Sequence, residues 1–158
     1  MAPEFLLWLE KTPWSIALHE SLWVYPIVES VHVLTLCLFL GMAVLFDLRL
    51  LGVALRNAPV SEVLARLRPW MIAGFAVMVV SGALLFYAIP VRTYLNVFFR
   101  IKMVMLALAG VNAWIFHRAE PSPSAARAAG AVSLFLWASI VVAGRMIAYN
   151  WFDPPGVH

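Results

Sequence analysis

The run from Trp23 to Phe46, WVYPIVESVHVLTLCLFLGMAVLF, constrains this chain more than any other stretch. A helix needs ~20 apolar residues to cross a bilayer core, and this run supplies them. Inside it lie Glu29 and His32, one helical turn apart. An ionisable side chain at such depth costs at least ~2.5 kcal/mol on insertion scales, so it faces the protein interior or a cavity. The rest of the chain has to provide the partners of those two groups.

Composition agrees with a membrane solvent. Hydrophobic residues make up 64% of the 158 and charged residues 12%, against about 45–50% and 25% in soluble domains. The length suits one membrane domain, residues 1–158, with no separate soluble domain. The net charge of +3 does not indicate a nucleic-acid partner. The basic residues lie mostly near helix ends, where orientation and lipid contact explain them. Cys37, the only cysteine, lies mid-span, so no intrachain disulfide can form. The amino-terminal stretch does not read as a cleavable signal peptide: it opens with Glu4 and is broken by Glu10, Lys11 and Pro13.

The pattern predicts an all-α integral membrane four-helix bundle with an N-terminal interfacial amphipathic helix. That helix covers residues 3–20, with Trp8 and Trp14 at headgroup level. The spans are expected at 23–46, 69–89, 98–117 and 128–149. Pro69 is expected to open the second span, and Ser61 to cap a short amphipathic helix ending at Leu67. Residues 118–127 read as a flexible loop and the tail NWFDPPGVH as a short extension. The connection after span one and the loop after span three carry Arg49, Arg56, Arg66, Arg68, Arg118 and Arg127. The positive-inside rule therefore places both termini in the periplasm.

A rise of ~1.5 Å per residue sets approximate depths. Glu29, Lys102 and Arg145 each lie about six residues from their span's midpoint towards the same face, or ~9 Å, and His32 lies ~4–5 Å out. One acid, two bases and an imidazole thus share nearly one level on three helices. In one reading they form a structural ion network in which Glu29 pairs Lys102 or Arg145. In another they build a site. Haem b needs an axial ligand, and His32 is the metal-ligating candidate. Lys102, Arg145 and Arg100 offer cations for its propionates, with Glu29 orienting the imidazole and Gly82 and Gly144 giving room. His19 and Met105 are options for a second ligand, while His117 lies ~18 Å lower. A copper site is the other metal option, through Met71, Met78, Met103, Met105 and Met146.

The inner set of Asp47, Arg49, Arg66, Arg68, His117 and Arg118 reads as topology and loop anchoring. Asn112 reads as an interhelical hydrogen-bonding residue. The functional readings are a b-type haem-binding electron-transfer subunit, a non-catalytic membrane anchor or assembly subunit, or a small transporter. The partners implied are the lipid bilayer and a membrane redox partner or a homo-oligomer.

The strings ESLWVYPIVESVHVLTLCLFLG, FDLRLLG, FRIKMVMLALAGVNAWIFHR and AGRMIAY resemble a family of small bacterial four-helix membrane proteins of unknown function. The resemblance covers nearly the whole chain and implies a bacterial inner (plasma) membrane location. A more distant likeness is to the four-helix superfamily of copper resistance protein D and the haem-containing membrane protoporphyrinogen oxidase. In the latter a histidine on the first helix is followed by a glycine, and a lysine opens the third helix. His32, Gly41 and Lys102 occupy comparable places. That likeness implies haem binding.

Overall fold

The computed structural model describes residues 2–118 and 122–149. These form seven helices and no strand: α1 (Glu4–Glu10), α2 (Pro13–His19), α3 (Val24–Leu50), α4 (Val60–Ala88), α5 (Pro90–Leu95), α6 (Val97–Arg118) and α7 (Pro123–Met146). Four of them, α3, α4, α6 and α7, are long and apolar enough to cross a membrane. The chain is an all-α, multi-pass membrane protein. The tail from Asn150, and residues 119–121 of the expected loop, lie outside the described residues.

The amino-terminal segment is two helices rather than one. Pro13 cannot continue α1, and Thr12 restarts the chain by accepting from the Ser15 amide. The single Thr12 hydroxyl proton goes to the Leu9 carbonyl at 2.7 Å, so the Tyr87 hydroxyl donates to Thr12 Oγ1 at 2.8 Å. Ser15 Oγ donates to the Tyr87 carbonyl at 2.8 Å. These bonds pin α2 to the end of α4, where helix carbonyls lack intrahelical partners.

The helices do not keep the expected bounds, and the fourth span ends at Met146, before the expected 149. The first helix continues through Asp47 and Arg49 to Leu50, not to Phe46. It stops at Gly52, whose φ of +73° suits glycine. The Gly52 amide meets Arg49 O and the Val53 amide meets Leu48 O, which satisfies the last carbonyls. The short helix expected to end at Leu67 and the second span are one 29-residue helix with Pro69 inside it. The helix is capped at Pro59, not at Ser61. Ala65, whose carbonyl loses its amide partner to Pro69, is exposed in the second turn of the helix. α7 starts at Pro123, five residues before the expected 128, because Ser122 caps it through the Ala125 amide. The short link after Pro90 is itself helical (α5). Asn96 then caps α6, its Oδ1 accepting from Phe98 N at 2.9 Å and Phe99 N at 3.4 Å.

The spans pack in the order α4–α3–α7–α6. The α3–α7 seam is tightest at Gly130, where an added Cβ would sit 3.1 Å from both Asp47 O and Leu50 Cβ. α4 and α6 lie at the two ends of this order. They meet near the amino-terminal helices, where Phe86 stacks on Phe99 with centroids 5.5 Å apart.

Candidate functional site

His32 is half-buried on α3 and faces α4. Its Nδ1 lies 2.8 Å from Ser81 Oγ. Ser81 is 4% exposed, and its hydroxyl donates to Val77 O at 2.7 Å. A serine hydroxyl has one proton, so Ser81 can only accept from the imidazole. Nδ1 of His32 is therefore the donor, and in the neutral ring Nε2 keeps the lone pair. Ser81, a residue with no sequence signal, holds this ring, and Glu29 does not. Gly82 leaves the room: a Cβ there would come within 3.3 Å of His32 Cε1.

Lys102 on α6 is the second member. Its charge acts on the His32 imidazole through space. Its Nζ lies 3.6 Å from where a Gly144 Cβ would stand, so the absence of a side chain at Gly144 admits the ammonium beside α7. The ammonium is half-buried and makes no hydrogen bond or ion pair among the described residues.

The other two expected members lie on the rim. Glu29 is exposed and acts electrostatically on Tyr25, which Arg92 also reaches. Arg145 is exposed and stacks over the Tyr149 ring at 5.3 Å. The expected ion network is not formed: among the described residues the ion pair is Arg66–Glu62, within α4. The reason is angular. Residues at one depth share a level, but successive residues turn by about 100°, so Gly144 faces Lys102 while Arg145 points outward.

Neither proposed second ligand reaches His32. His19 ends α2 and meets Tyr25 edge-on at 6.3 Å. Met105 packs on the Ala109, Leu136 and Ile140 cluster. The methionines divide among separate packing clusters, Met78 in the Phe39–Ala43 core and Met105 in the Ala109 one. No group of three His, Cys, Asp or Glu among the described residues is placed to hold a metal ion.

The inner set behaves differently from a uniform loop anchor. Arg49 Nε donates to Ala58 O at 2.7 Å, and His117 Nδ1 donates to Ala113 O at 2.8 Å. Asn112 Nδ2 donates to Ala129 O at 3.1 Å and joins α6 to α7 as expected. Asp47, however, is 4% exposed and turns inward.

No curated protein and no solved structure matches the chain. A family model matches residues 21–150, which include all four spans and both polar layers. The chain belongs to the family of unknown function DUF6644.

Proposed function

We propose that the His32–Lys102 layer binds haem b and that the protein is a membrane electron-transfer subunit. The observation that carries this reading is the His32–Ser81 bond, in which Nδ1 donates, so that a neutral ring offers the Nε2 lone pair. The outer partner on Nδ1 is the arrangement that orients metal-bound imidazoles, with Ser81 in place of a carboxylate. Lys102 is a half-buried cation without an anion, which suits a propionate. Gly82 and Gly144 keep side chains away from both groups. Arg145 supplies a second cation at the rim, and Glu29 tunes the local field from the surface. When bound, the haem supplies one-electron redox chemistry. The chain's own part is to present the nitrogen, fix its tautomer and neutralise the acid groups.

Location and partner belong to the same reading. The protein lies in a bacterial inner membrane with both termini periplasmic, and a membrane redox partner exchanges electrons with it. The likeness to the haem-containing superfamily rests on His32, Gly41 and Lys102. A visible spectrum of the detergent-purified protein tests the reading. A Soret band that His32→Ala abolishes supports it, and a colourless, folded wild type from haem-replete cells removes it.

One observation favours a second reading. The His32–Ser81 bond joins α3 to α4, as a purely architectural histidine would. The protein is then a non-catalytic membrane anchor or assembly subunit.

A further inference from the structure

A second polar feature lies at the other end of the bundle. A cavity of about 140 Å³ opens between the four spans near the carboxyl-terminal end of α3. Two aromatic pairs frame it. Phe39 and Trp137 meet edge to face with centroids 4.9 Å apart, and Phe46 and Phe116 do so at 5.9 Å. Asp47 lines the cavity, and its Oδ2 is buried without a hydrogen-bond partner. Asn112, His117 and Ser133 are the other polar side chains that line the cavity.

A buried carboxylate with no counter-ion is destabilising by several kcal/mol. No guanidinium among the described residues lines the cavity, and His117, which does, has its Nδ1 committed to Ala113 O. Arg49 is committed to Ala58 O, Arg66 to Glu62, and Arg118 to the face of Trp114 at 5.2 Å. The cavity thus presents one buried carboxyl group without a counter-ion among aromatic side chains. Inorganic cations with oxygen shells need six or more oxygen ligands, and these walls are mainly carbon. Aromatic side chains beside a carboxylate suit a different ion. They attract a cation whose surface is itself apolar, as in aromatic cages for quaternary ammonium groups. An apolar cavity of about 150 Å³ takes up benzene, so an ion of tetramethylammonium size fits.

We propose that this cavity binds a small organic ammonium ion, with Asp47 as counter-ion and Phe39, Phe46, Phe116 and Trp137 as the cation–π wall. The site is independent of the His32 layer, and its occupant is unrelated to a haem.

The test is ligand-observed NMR on the full chain in detergent, at constant ionic strength. Tetramethylammonium chloride is the probe, with sodium chloride and tert-butanol as competitors. The wild type should bind the probe saturably, with little displacement by either competitor. Asp47→Asn should weaken binding at least tenfold, and Trp137→Leu about tenfold. His32→Ala should leave it unchanged. Trp137→Leu keeps the test valid if Asp47→Asn does not fold. Absence of saturable binding by folded wild type overturns the proposal. So does equal binding by either cavity variant. Displacement by equimolar sodium would assign the site to an inorganic cation, and displacement by tert-butanol would make it a neutral apolar cavity; both overturn it.

Discussion

Ser81 holds His32 across the α3–α4 seam at 2.8 Å, and its own proton is spent on Val77 O one turn back in α4. That single chain of bonds makes Nδ1 of the imidazole the donor. It also ties two spans together. Interhelical bonds of this kind average ~0.6 kcal/mol and reach ~1.7 in membrane proteins. A double-mutant cycle of His32→Ala and Ser81→Ala in a detergent unfolding assay should return a coupling in that range. Strictly additive losses would mean that the two side chains do not interact.

Glycine positions give a graded set of outcomes. Gly130→Ala brings a Cβ to 3.1 Å from the Asp47 carbonyl oxygen, and backbone cannot yield as a side chain can. Overpacking of this sort costs about 1–3 kcal/mol. Gly74→Ala meets its neighbours at 3.6 Å or more, and Gly110→Ala meets nothing. Those two should be neutral or slightly stabilising in the same unfolding assay, because alanine favours helix by up to ~1 kcal/mol.

The clasp between α2 and α4 predicts a proteolysis result. Thr12→Val with Ser15→Ala removes the bonds to Tyr87. The double variant should be cut by trypsin after Lys11 faster than wild type. An unchanged cleavage rate would mean that burial of Leu6, and not these bonds, holds the segment.

Orientation is testable with single cysteines in a Cys37→Ser background. Ala2→Cys should react with a membrane-impermeant maleimide from the periplasmic side. Asn57→Cys and Ser124→Cys, both exposed, should react only after permeabilisation. The reverse pattern would invert the proposed topology.

The sequence announces the spans because hydropathy measures the solvent each segment meets. It announces their ends poorly. Asp47 and Arg49 look like loop residues, yet α3 has 27 residues, ~40 Å at the helical rise, more than the ~30 Å core. Pro69 looks like a start signal, yet it lies inside α4, and the carbonyl that it leaves free belongs to the exposed Ala65. Within the site, helical rise gave a common level for four residues but not the direction of each. His32 turns towards Gly82 and Lys102 towards Gly144, while Glu29 and Arg145 are exposed. Ser81 carried no signal because serine is ordinary in membrane helices. Asp47 carried the wrong one, since its burial depends on the approach of α7 at Gly130, a contact distant in sequence.

The most direct measurement is haem stoichiometry by the pyridine haemochrome assay on wild type and His32→Ala, purified in parallel from haem-replete cells. A bound cofactor gives close to one haem per chain in wild type and almost none in the variant. A folded wild type with almost none, or two proteins with equal content, contradicts the assignment of His32 as ligand.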